Sequence, residues 1–186
     1  KRLKQMEVNG LVMRTDGKAA TKHTEYLVSP LADELKPLIM GLGEWAHRNI
    51  DCEVSLQDLN ARLLMWKIRG KIDLLELPKR KSIIQFILRD PKEETANYWL
   101  VAKPGEVTDL CYTDPKFDVD LFVVGELRAL TSAWMGHTSF ATEIEQGRIT
   151  LTGDDLLART LTKWLALSSF SKIAKADPAP KFRSAS

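Results

Sequence analysis

The stretch Thr24–Asn49, TEYLVSPLADELKPLIMGLGEWAHRN, decides how this chain is read. Thr24-Glu25-Tyr26-Leu27-Val28 is rich in β-branched and aromatic residues and predicts a strand. Ser29-Pro30 then starts a helix. The Ser side chain caps exposed N–H groups, and Pro fits the first helical position, where its missing N–H costs nothing. Leu31, Leu35, Leu38, Ile39, Leu42 and Trp45 recur at helical spacing and predict one apolar stripe running to near Asn49. Pro37 falls inside that stripe, removes one backbone donor and predicts a bend.

Working upstream, Leu3 and Met6 follow helical spacing, and Asn9-Gly10 ends that helix because both residues tolerate the left-handed cap. Leu11–Thr15 predicts a short strand, Asp16-Gly17 a turn, and Lys18–His23 a basic loop before the strand at Thr24. The order is helix, strand, basic loop, strand. The chain opens Lys1-Arg2-Leu3-Lys4, with no Met and already in a helical pattern, so the expectation is a helix that begins upstream.

The 186 residues suit one large domain or two small ones. Hydrophobic residues at 44% are enough to build a core. Lys and Arg number 27 against 25 Asp and Glu, a net charge of +2, which excludes a strongly basic nucleic-acid-coating protein. Position matters more than the total. Residues 1–24 carry Lys1, Arg2, Lys4, Arg14, Lys18 and Lys22 against Glu7 and Asp16, a local charge of +4, and the remainder sums to −2. A helix followed by a basic hairpin is the wing arrangement of winged-helix DNA binders, with His23 beside the basic positions. Two cysteines, Cys52 and Cys111, exclude a disulfide scaffold and a four-cysteine zinc site. No apolar run reaches the roughly 18 residues of a membrane span, so no membrane partner and a cytoplasmic location are expected.

Downstream, residues 50–54 read as a linker, and Ser55 caps a helix carrying Leu56, Leu59, Leu63, Leu64, Trp66 and Ile68. Then the period changes. Residues 82–89, 98–103, 107–113 and 119–124 predict short strands separated by Asp90-Pro91, Pro104-Gly105 and Asp114-Pro115, in an antiparallel meander. Helices are predicted at 126–135 and 139–146, a strand at 148–152, and a closing helix with Leu156, Leu157, Leu161, Trp164 and Leu165. Residues 176–186 read as a flexible tail. The fold class is α+β.

Little here points to catalysis. His23, His47 and His137 lack a second His or Cys at metal-ligand spacing. Gly41-Leu42-Gly43 sits inside a helical stripe with no strand before it, which excludes a dinucleotide fingerprint. The expectation is a non-enzyme with no cofactor and no metal.

Five segments fall in register with one family. Arg2–Glu7, Gly10–Arg14, Glu25–Leu31, Glu34–Leu38 and Leu42–Ala46 resemble the HxlR family of bacterial winged helix-turn-helix regulators. The resemblance covers residues 1–49. It implies the end of a recognition helix, two wing strands and a following helix, with the earlier helices upstream. It also implies a homodimer on double-stranded DNA, with Lys1, Arg2, Lys4, Arg14, Lys18, Lys22 and His23 as DNA-binding candidates.

Val119–Gly125, Trp134-Met135-Gly136, Glu145–Asp154 and the closing Leu156, Leu161, Trp164 helix resemble the sterol carrier protein domain, over residues 55–175. That implies a mainly antiparallel sheet covered by helices and an apolar site for a hydrophobic or fatty-acyl-like effector. Large side chains in this half are the ligand-binding candidates: Trp66, Phe86, Trp99, Tyr112, Phe122, Trp134, Met135 and Trp164. The two resemblances together describe a regulator that senses a lipid-like molecule. The alternative is a lipid-binding or carrier module whose winged segment serves only to dimerise.

Overall fold

Ser29 anchors the first part of the chain from both sides. Its hydroxyl accepts from the Ala32 N–H at 3.2 Å, capping a helix, and donates to the Gly10 carbonyl at 2.6 Å. The computed structural model describes residues 1–16, 24–90 and 93–176. They divide into two units, Lys1–Asn49 with Lys175–Ser186, and Ile50–Ala174.

In the first unit, α1 (Arg2–Val8) ends at Asn9, and Gly10 takes the left-handed turn at φ 70°. Strands β1 (Val12–Asp16) and β2 (Thr24–Val28) pair antiparallel, with Arg14 opposite Tyr26. The predicted stripe helix is two helices, α2 (Pro30–Asp33) and α3 (Lys36–Asn49). Pro37 therefore does not bend a continuous helix. It occupies the first turn of α3, where its lack of an N–H removes no bond. His47 is buried, and desolvation, with the nearby Lys175 charge, holds its pKa below the ordinary value.

Residues 50–54 open the second unit: Cys52–Ser55 form α4, capped by the Asp51 carboxylate at 2.7 Å from the Glu53 N–H. Ser55 ends that short helix instead of starting the next. The cap of α5 (Ala61–Arg69) is Asn60, whose carbonyl oxygen accepts from the Leu63 N–H at 2.8 Å. Of the expected tail, only Ala176 lies among the described residues, and its N–H donates to the Arg48 carbonyl at 2.9 Å.

Strands β3 (Ser82–Asp90), β4 (Glu93–Ala102), β5 (Asp109–Cys111), β6 (Leu121–Glu126) and β7 (Ile149–Gly153) form one sheet in the order β5-β4-β3-β6-β7. This is not a simple meander. β6 returns beside β3 and pairs with it parallel, while the other three pairs are antiparallel. Asp120 fixes that return: its carboxylate accepts from the Ile83 N–H at 2.7 Å and from Arg80 at 2.6 Å. Arg80 also reaches Asp154, at 3.1 Å, which caps the helix after β7.

Helices α6 (Leu127–Met135) and α7 (Phe140–Glu145) connect β6 to β7, and α8 (Asp155–Arg159) and α9 (Leu161–Trp164) follow β7. The expected closing helix breaks at Thr160, whose hydroxyl donates back to the Leu156 carbonyl at 2.7 Å. The core joins one sheet face, through Ile84, Phe86, Leu100, Leu121 and Val123, to apolar residues of α5, α6 and the closing helices. Burying these side chains supplies the main drive for folding, roughly 1.5–3 kcal/mol for each large one.

Candidate functional site

Strand alternation divides the aromatic candidates of the second unit. Phe86 pairs with Tyr98 and lies opposite Val123 in the core, whereas Trp99 pairs with Gln85 and packs with Ile83 and Val101 on the other face. Phe122, beside Gln85 in register, shares that second face. Trp164 is fully buried, and its indole N–H donates to the Leu157 carbonyl at 2.8 Å. Trp66 and Tyr112 line a shallow hollow beside Arg62, whose guanidinium stands 4.5 Å from the Tyr112 ring. The eight candidates therefore do not surround one cavity, because a strand sends successive side chains to opposite sides.

Two of the eight, Trp134 and Met135, do line a cavity of about 230 Å³ between the start and body of α5 and the end of α6. Its exposed wall is mostly apolar and includes Leu59, Leu63 and Leu64, while Ser55, Asp58, Asn60, Lys67, Thr131 and His137 are its polar residues. Trp134 is held by its N–H, which donates to the Ala166 carbonyl at 3.2 Å. The leucines were legible only as a helix face, since the 3.6 period marks a core-facing stripe without saying whether the stripe is filled.

A second cavity, about 300 Å³, is polar. It holds two ion pairs, Arg128 to Glu53 at 2.6 Å and Arg148 to Glu143 at 2.5 Å. Glu143 is almost fully buried. The hydrogen bond from Arg148 is the largest influence on its carboxyl and, with a further bond involving Thr138, outweighs desolvation and holds the pKa below the ordinary value. A carboxyl depressed in the folded state contributes stability above its unfolded pKa of about 4.3, lost as pH falls through the folded value. Glu143→Gln is expected to flatten that acid limb. Urea midpoints between neutral pH and the folded Glu143 pKa test this, and an unchanged pH profile would refute it. No sequence signal marks this pair, because five residues of separation across a helix end match no local pattern. Among the described residues no group of three His, Cys, Asp or Glu side chains could hold a metal, and no helix is long and apolar enough to cross a membrane.

The basic end lies in the first unit. Lys1 at the N-cap of α1, Arg2 and Lys4 on α1, and Arg14 on β1 are exposed. Arg14 also reaches the Thr24 hydroxyl at 3.5 Å, across the hairpin. Lys18, Lys22 and His23 lie outside the described residues. A helix, a two-stranded hairpin and a capped following helix thus stand in the order the segments predicted. Residues 1–54 match the HxlR-like helix-turn-helix family.

Among curated proteins none matches the chain. Similar solved structures include sterol carrier protein 2 like 2 from Aedes aegypti, 18% identical, covering 55% of this chain and 93% of that one at a TM-score of 0.43. Sterol carrier protein 2 from Yarrowia lipolytica is 18% identical over 57% of this chain and 80% of that one, TM-score 0.41. The stereoselective inverting sec-alkylsulfatase Pisa1 from Pseudomonas sp. is 16% identical over 64% of this chain but 17% of its own, TM-score 0.43.

The HxlR-like segment leaves one face of α3 apolar and open. Leu38, Ile39, Leu42 and Trp45 sit at helical spacing and are each more than half exposed. Isolated exposed leucines need no explanation, but a contiguous stripe of four large apolar residues marks an interaction surface.

Proposed function

We propose that this protein is a transcriptional regulator that binds double-stranded DNA as a homodimer and senses a hydrophobic small molecule in its second unit. The match of residues 1–54 to the HxlR-like helix-turn-helix family carries the reading. The exposed Lys1, Arg2, Lys4 and Arg14 supply cations for phosphates, and Lys18, Lys22 and His23 extend the proposed contact set along the sequence. The open stripe on α3 supports a second copy of the chain as the partner. The sequence resemblance to the sterol carrier domain, with the apolar cavity at Trp134 and Met135, supports the effector site. Neither role calls on a catalytic residue, and a cytoplasmic location fits both.

An effector acts on such a protein only if it binds the DNA-competent and incompetent states with different affinity. Helix α3 ends at Asn49, at one of the two places where the chain passes between the units, so it is a covalent link along which that difference can pass. The test is a DNA titration repeated across salt. A phosphate-contacting regulator loses affinity steeply between about 50 and 200 mM salt. Absence of DNA binding at low salt overturns the reading and returns the carrier module, in which the winged segment only dimerises.

A further inference from the structure

The apolar and polar cavities of the second unit share two wall residues, Leu56 and His137, and so adjoin. The apolar cavity is small. A benzene-sized molecule fills a void of about 150 Å³. By the same scale the 230 Å³ beside Trp134 matches a chain of about eight or nine carbons.

Charge then limits the other end of the ligand. The residues lining the polar cavity include Glu53, Glu126 and Glu143 against Arg128 and Arg148. Both arginines are already engaged. Arg128 binds Glu53 at 2.6 Å and the Leu56 carbonyl at 3.3 Å, and Arg148 binds Glu143 at 2.5 Å. The two pairs cancel and leave the Glu126 carboxylate. A carboxylate headgroup would have to displace Glu53 from Arg128 while facing Glu126. An uncharged amide or hydroxyl can instead donate and accept among these groups with no charge to compensate. In the apolar cavity, Asp58 and Lys67 are opposite in sign and add no net charge.

We propose that the two cavities form one binding site for a short, uncharged amphiphile. Its apolar part lies beside Leu63 and Trp134, its amide or hydroxyl head lies in the polar cavity, and Glu53 excludes carboxylates by holding Arg128. This rests on the effector-sensing reading and specifies its ligand class.

Calorimetric titration of the 186-residue chain with octanamide, octanoate and palmitate at neutral pH tests it. Octanamide is expected to bind up to about fivefold more tightly than octanoate, the scale of one exposed ion pair. Palmitate is expected to bind no better than octanoate. Glu53→Gln changes an exposed side chain and frees Arg128, so it should tighten octanoate severalfold and narrow the preference for octanamide. Leu63→Trp, also at an exposed position, should fill the cavity and abolish octanamide binding. Octanoate binding as tightly as octanamide, or a preference that Glu53→Gln does not narrow, overturns the proposal. Tight palmitate binding overturns it while leaving the lipid-sensing reading standing. Failure of all three to bind overturns both.

Discussion

Replacing Arg2, Lys4 and Arg14 together with alanine is expected to weaken DNA binding by about a hundredfold and to flatten its dependence on salt. Each phosphate contact releases condensed counterions and contributes about −0.9 to the slope of log affinity against log salt, so losing three should reduce the slope by about 2.7. The loss should be similar on a cognate site and on random duplex, because phosphate contacts carry no sequence information. The three side chains are exposed on α1 and β1, so the thermal midpoint of the variant should stay close to that of the parent. Anisotropy titrations at four salt concentrations measure both quantities. An unchanged slope would show that these cations do not touch DNA, and a loss confined to one sequence would move them from phosphates to base edges.

What the sequence disclosed follows how local each signal is. The hairpin, the Ser29 cap and the stop at Asn9-Gly10 depend on neighbours within a few residues, and the structure has all three. The α+β class followed from the change of period after α5. Pro37 misled because the same residue kinks a helix interior and begins a helix, and only the break at Glu34-Leu35 decides between them. Ser55 misled similarly, since Asn60 is an equally good cap five residues on, and competition between caps is settled by tertiary packing. The parallel β3–β6 pair was illegible, because register across 37 residues rests on Asp120 meeting the Ile83 N–H. The site fared worst. Side-chain size identifies residues able to wall a cavity, but alternation along β3, β4 and β6 sends Phe86 to one face and Trp99 and Phe122 to the other. Trp134 and Met135 reach the apolar cavity because they end a helix instead of lying within the sheet.

Trp164 and Trp66 make that distinction measurable, since size alone marks both as ligand-wall candidates. Trp164→Ala should cost about 3–5 kcal/mol, because the ring is fully buried and its removal leaves a cavity that the core only partly fills. It also strips the Leu157 carbonyl of its indole donor, a buried acceptor worth about 1 kcal/mol or more when left alone. Against a typical domain stability of about 5–15 kcal/mol, such a loss consumes much of the margin. Trp66→Ala should cost no more than about 1 kcal/mol, because the ring is half exposed and its defined contact is the Arg69 guanidinium at 4.8 Å. Urea midpoints of the two variants read the difference directly. The pair also tests the assignment of roles. If Trp164→Ala left stability nearly unchanged and instead abolished amphiphile binding, Trp164 would be a wall of the ligand site and the cavity would extend into what is now the core. If it unfolds the second unit while Trp66→Ala leaves it folded, Trp164 is a packing residue, and the ligand must be sought beside Trp134.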